Sequence, residues 1–208
     1  GFNMGWQPYF LEKNFDSRSK IYPRINSIVL AILGFIWILL LFWTDDLIKT
    51  SFLGITFFGS DFFGSLNIIP WIGLSYFFYG FYHLQTPGVF LKSRPKYAAW
   101  TRLFGAFTNI GLCFLLIPIF GALGAAYATC ISFGLMALLM FFINRYLIFV
   151  KLEYKSLIII FLLLFISYAA FSVYQDNSIV NLLIMFFYIA VIFYFKIVNI
   201  QSLNKIFA

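Results

Sequence analysis

Long apolar runs separated by short polar breaks organise this chain. Six runs are of membrane-crossing length: Ile25–Trp43, Phe62–His83, Ala98–Pro118, Leu123–Ile143, Ser156–Tyr174 and Ile179–Val198. Each holds about 20 residues, the number a helix needs to cross a hydrocarbon core about 30 Å thick. The pattern predicts an all-α integral membrane protein with six transmembrane helices. A shorter apolar and aromatic stretch, Gly1–Leu11, comes first and runs into the charged segment Glu12–Arg24. It reads as the end of a helix begun earlier, a partial N-terminal helix. The alternative is an interfacial segment with Trp6, Tyr9 and Phe10 at headgroup depth. The expected divisions are thus 1–11 (cut helix), 12–24 (loop), 25–143 (four-helix bundle) and 144–208 (a peripheral helix pair and tail).

The breaks alternate in charge, which orients the spans. Lys and Arg number 14, and all but Lys49 lie beside the break before the first run or those after the second, fourth and sixth. The remaining breaks collect Asp45, Asp46, Asp61 and Asp176. Cytoplasmic loops hold the excess of basic residues, so both ends should face the cytoplasm. Composition agrees: 63% of residues are hydrophobic and 10% charged, against about 45–50% and about 25% in soluble domains. The net charge of +7 is then a property of one leaflet's headgroup level, and no nucleic-acid partner is implied. Cys113 and Cys130 fall inside runs as small apolar residues. Two cysteines and one histidine supply no metal site or disulfide framework, and no cofactor is expected.

Local signals refine the picture. In the break Thr44–Asp61, the stretch Asp46–Phe58 reads as a short surface helix started by Asp45 or Asp46. Pro70 lies inside the second run and predicts a bend; Asn67 and Ser75 flank it, either to satisfy the freed backbone or to bind a ligand. Pro118 ends the third run, and the chain re-enters at once. The fourth run then has small residues four apart, with Gly121, Ala125 and Thr129 on one row and Gly124, Ala128 and Ser132 on the next. Such rows let two membrane helices approach closely. The last two runs are rich in Leu, Ile and Phe and read as peripheral and lipid-facing.

Polar residues within the hydrocarbon are costly, so each is a functional candidate. Arg102 and Asn109 are seven apart and share one face of the third run. They line a water-filled cavity for an anionic or sugar substrate, or else Arg102 snorkels to the headgroups and Asn109 bonds a neighbouring helix. Gln7, next to Pro8 in the opening stretch, carries the same two readings. His83 reads as a tolerated interfacial histidine, and Tyr76, Tyr79 and Tyr82 as an aromatic belt rather than sugar platforms. No carboxylate pair, Ser–His–Asp set or phosphate loop can be assembled from the spans, so an enzyme is not expected.

The stretch TNIGLCFLLIPIFGALGAAYATCIS, Thr108–Ser132, resembles the signature of bacterial polysaccharide flippases of the Wzx type. They belong to the multidrug/oligosaccharidyl-lipid/polysaccharide exporter superfamily. Members typically show N-x-x-L-N-x-x-L-I-P-x-F-G-x-x-G-A-A-x-A-T; this chain has Cys113 where the family often has a second Asn. GWQPYF (Gly5–Phe10) and NIIPWIGLSYFFYGFY (Asn67–Tyr82) look similar too. The resemblance extends over essentially the whole chain and matches the C-terminal half of a transporter with about twice as many spans. It implies a missing N-terminal helix bundle as partner, a bacterial cytoplasmic membrane and alternating access between two bundles. The implied cargo is an undecaprenyl-pyrophosphate-linked oligosaccharide for O-antigen, capsule or exopolysaccharide. Another exporter of the superfamily, or a non-transporting membrane subunit, stays open.

Overall fold

A computed structural model describes residues 2–12, 15–49, 51–52, 55–56, 66–148, 152–174 and 177–198. Seven helices make up nearly all of it: α1 Phe2–Glu12, α2 Phe15–Lys49, α3 Ile69–Leu91, α4 Lys96–Phe120, α5 Ala122–Ile148, α6 Tyr154–Tyr174 and α7 Ser178–Tyr194. After α2, a two-residue strand β1 (Ser51–Phe52) pairs antiparallel with β2 (Ile55–Thr56). Four segments are long and apolar enough to cross a membrane: Ile21–Asp46 of α2, and Lys96–Phe120, Ala122–Leu147 and Tyr154–Tyr174. Six such spans were expected. α3 misses on composition, with Trp71, Tyr76, Tyr79, Tyr82, His83 and Gln85 along it, and α7 misses on length with 17 residues.

α3 is the centre of the bundle, and this explains its mixed composition. It packs on α5 most extensively, then on α2, with α1 and α4 also against it. Its residues from Leu84 to Val89 are all buried. A helix surrounded by protein need not match lipid, so polar and aromatic side chains are tolerated where a neighbour can bond them. Trp37 of α2 donates its indole N–H to the Pro70 carbonyl at 2.7 Å, fixing the start of α3. Leu33 of α2 fills the notch at Gly80.

Several boundaries differ from the sequence expectation, each for a physical reason. Pro70 does not bend a helix interior; it sits in the first turn of α3, where its missing N–H costs nothing. At the other end α3 continues through Pro87 to Leu91 instead of giving way to a loop at Leu84. It ends in a Schellman motif, with Ser93 N–H on the Phe90 carbonyl (2.9 Å), Arg94 N–H on that of Val89 (3.0 Å), and Ser93 at φ 52°. The segment from Phe15 to Arg24, expected as loop, is the first part of α2 and carries Pro23. A separate surface helix over Asp46–Phe58 was expected; among the described residues there, Asp46–Lys49 continue α2, and Ser51–Phe52 and Ile55–Thr56 form the β1–β2 pair. Asp61, Asp176, residues 62–65 and the tail with Lys205 lie outside the described residues.

Cross-helix contacts give the helix directions. Trp37–Pro70 and Leu33–Gly80 set α2 and α3 antiparallel, and Asn109–Thr129 and Gly105–Met136 do the same for α4 and α5. Trp71–Tyr127 and Tyr79–Phe133 make α3 and α5 parallel. Ser27–Glu153 and Phe42–Phe171 make α2 and α6 parallel, while Tyr188–Ala31 and Arg24–Lys196 run α7 antiparallel to α2. One end of the bundle therefore carries Arg24, Lys92, Arg94, Lys96, Arg102, Arg145, Lys155 and Lys196. The other carries Asp45, Asp46 and Asn67.

Candidate functional site

Arg102 and Asn109 share a face of α4 yet turn to different partners. Arg102, six residues into α4, donates Nε–H to the Tyr82 hydroxyl of α3 at 3.1 Å. Its guanidinium carbon stands 5.9 Å from the centre of the same ring, a cation–π contact. Tyr82 is completely buried, and its O–H donates to the Ala98 carbonyl at 3.3 Å. The phenol is thus held from both sides and has one orientation. Among the described residues the two terminal nitrogens of Arg102 make no hydrogen bond, and the side chain is exposed. His83 completes the cluster, edge-on to Tyr79 at 4.4 Å and to Tyr82 at 5.3 Å. Tyr79 stacks on Phe133 of α5 at 4.9 Å. Tyr79 and Tyr82 are packed between helices, not arranged as an interfacial belt, whereas Tyr76 is exposed.

Asn109 lies two turns further along α4. Its amide nitrogen donates to Thr129 Oγ1 of α5 at 3.3 Å, and its amide oxygen accepts from the Cys113 thiol at 3.8 Å. Thr129 in turn donates to the Ala125 carbonyl at 2.9 Å. Asn109 therefore bonds a neighbouring helix, the second of the two readings its position allowed. Gln7 is half-buried on α1 and makes no hydrogen bond to either residue. Asn67 is remote: it is exposed in the turn before α3, 15 residues and about 20 Å of helix from Tyr82.

The small residues divide into a turn and a contact. Gly121 is not a packing residue; at φ +59° and ψ −137° it caps α4, with open space where a Cβ would be. Only glycine adopts that conformation without strain. Gly124, Ala128 and Ser132 are buried, while Ala125 is half-buried. A Cβ on Gly124 would overlap the Leu116 carbonyl oxygen of α4 and lie 2.6 Å from its carbon. The two backbones touch there. Pro118 neither ends α4 nor sits at its middle; the helix continues to Phe120, with Pro118 exposed in the last turn.

Two groupings escaped the sequence reading. At the basic end, Asn144 of α5 donates to the Tyr22 hydroxyl at 2.7 Å, and Asn26 donates to the Tyr22 carbonyl at 2.8 Å. Ser27 and Ser156 both donate to Glu153 Oε2, at 3.1 and 3.0 Å. These bonds tie α2 to α5 and to the start of α6. At the opposite end a cavity of about 470 Å³ opens between α2, α3, α5 and α6, and Asn67 is on its wall with Trp71, Tyr127 and Tyr168. Of these residues the sequence had marked Asn67 alone; the other Asn and Tyr residues, isolated near run ends, gave no signal for either grouping. Among the described residues no three His, Cys, Asp or Glu side chains could hold a metal. Compared with family models, curated proteins and solved structures, the chain matches none.

Proposed function

We propose that this chain is the C-terminal part of a membrane transporter moving an undecaprenyl-pyrophosphate-linked oligosaccharide from the inner to the outer leaflet of a bacterial cytoplasmic membrane. On this reading α3 and α7 cross the membrane along with the four long apolar helices. The basic end of the bundle, with both chain ends, faces the cytoplasm. The resemblance of Thr108–Ser132 to flippase sequences names the cargo class. The observation that carries the chemistry is Arg102: its Nε is pinned on Tyr82 while its terminal N–H groups stay exposed. A planar fork of this kind pairs with phosphate in two parallel bonds, and holding it in place beforehand lowers the entropy lost on binding. A pyrophosphate entering from the basic end would meet it first.

The decisive test is complementation of a strain lacking surface polysaccharide, using the complete protein and measuring its level in parallel. Arg102→Ala should abolish polysaccharide at normal protein level, and Arg102→Lys should keep part of it, since charge remains without the fork. Asn109→Ala should cost less, about 0.5–1.5 kcal/mol for a neutral hydrogen bond. Full activity of Arg102→Ala removes the residue from the site. Parallel loss of protein and activity assigns it to clamping α4 on α3. Orientation has its own check, in a background lacking Cys113 and Cys130. Asp46→Cys should react with a membrane-impermeant maleimide on intact cells and Ser93→Cys should not; the reverse pattern inverts the topology.

A further inference from the structure

The cavity at the Asp45 end has a composition unlike the rest of the bundle. Thr44, Asp45, Asn67, Trp71, Tyr127 and Tyr168 all stand on its wall. Trp71 is its pivot, edge-on to Tyr127 at 4.7 Å and to Tyr168 at 5.6 Å between ring centres. The Asn67 amide and the Tyr127 and Tyr168 hydroxyls make no hydrogen bond among the described residues. Aromatic surface therefore alternates with unused donors and acceptors around a space of about 470 Å³. The neighbouring cavity between α2, α3 and α6, about 280 Å³, shares Pro70, Trp71 and Tyr168 but has no Asn or Asp on its wall. A lipid tail would suit that one. In the larger cavity it would leave the Asn67 amide and the Tyr127 and Tyr168 hydroxyls unsatisfied, at about 1–3 kcal/mol each.

We propose that the larger cavity binds one pyranose ring of a glycan. A pyranose has an apolar C–H face that lies against aromatic rings and an equatorial rim of hydroxyls that both donate and accept. The wall answers both: rings of Trp71, Tyr127 and Tyr168 for the face, and the Asn67 amide and the phenolic O–H groups for the rim. An ammonium ion would use the rings and Asp45 but has no use for amide and phenol donors. The site is distinct from Arg102, at the other end of α3 about 20 Å away. It rests on the transport reading for its biological ligand: Arg102 would hold the charged group at the inner end while this cavity receives the sugar emerging at the outer end.

The test is direct binding, independent of transport. The complete protein in lipid nanodiscs is mixed with methyl glycosides of a hexose and of an N-acetylhexosamine, and saturation transfer from protein to ligand is read by NMR. Ring protons of at least one glycoside should take up saturation above the level of empty nanodiscs. Asn67→Ala, at an exposed turn position, should weaken binding about two- to tenfold, the worth of one hydrogen bond. Trp71→Leu should abolish transfer, and Leu162→Ala, on the exposed face of α6 and off the cavity wall, should leave it unchanged. Transfer equal in Trp71→Leu and the unaltered protein would overturn the site, as would transfer to neither glycoside. Transfer to tetraethylammonium in place of the glycosides would assign a cation site and overturn it equally. Absent binding with the Arg102 complementation result intact would remove this cavity while leaving the transport reading in place.

Discussion

The α4–α5 hairpin and the α6–α7 pair are both held in the bundle, by opposite means. In the hairpin the contact next to the turn is backbone on backbone, Gly124 against the Leu116 carbonyl, while further along the Met136 side chain fills the space beside Gly105. Little side-chain volume separates the helices, so attraction comes from close packing and from the Asn109–Thr129 bond. In the pair the contact is a large side chain in a notch. Tyr188 of α7 is buried against α2, donating its O–H to the Ala31 carbonyl at 2.8 Å, with Gly34 making room beside it. At Gly124 the hairpin cannot yield to an added atom without moving a helix, whereas the pair can yield by moving a ring. Strictness belongs to the side of the bundle that carries Arg102.

The sharpest break of this comparison is Gly124→Ala. The three atoms nearest its new methyl are all main chain, from Leu116 and Ile117, so α4 and α5 must separate. The cost should reach or exceed the upper end of the range for overpacking, about 3 kcal/mol. Folded protein in the membrane should fall several-fold, measured by fluorescence-detected size exclusion. Normal yield and melting temperature would mean the helices do not meet there.

Gly34→Ala is the matching test of the pair. Its methyl would stand 2.6 Å from the Tyr188 hydroxyl, a side-chain atom that can swing away. The loss should be moderate, about 1–2 kcal/mol, within the overpacking range. Tyr188→Phe removes the offending oxygen and one hydrogen bond, costing about 0.6 kcal/mol in a membrane helix contact. The double variant should then be no less stable than Tyr188→Phe alone. Additive losses in thermal unfolding would show that α7 is held some other way.

How much of this was legible in the sequence follows the same division. α4 and α6 were readable to within two residues at each end, because their exposed faces must match lipid along their whole length. α3 was not, since protein surrounds it and its ends obey local rules. Pro70 acts as a starter, and the chain stops at Ser93, where the motif that ends a helix lacks its usual glycine. α7 ends the same way at Lys196, φ 53°. For the site, Arg102 and Asn109 stood out as polar groups in an apolar run. Their partners Tyr82 and Thr129 did not, because spacing along α4 says which face a residue occupies but not which helix covers it. Trp71, Tyr127 and Tyr168 are each ordinary near a membrane interface; only the placement of α5 and α6 on either side of the start of α3 makes them one wall.

The smallest effect is expected where lipid does the packing. Leu162 and Leu163 are consecutive on α6, yet Leu162 is 55% exposed and Leu163 is 3% exposed. Leu163→Ala empties space between helices that only a rearrangement can refill, which costs about 2–5 kcal/mol. Leu162→Ala removes the same atoms from a surface that acyl chains cover. Those chains are as apolar as leucine and close the gap, so the change should be under about 0.5 kcal/mol, as for other surface substitutions. Unfolding of both variants in nanodiscs measures the difference. If Leu162→Ala were as damaging as Leu163→Ala, that face of α6 would be covered by protein. The pair would then be buried in a larger assembly instead of forming the edge of the bundle. A near-silent Leu162→Ala beside a damaging Leu163→Ala leaves α6 with one face on α2 and the other in the bilayer.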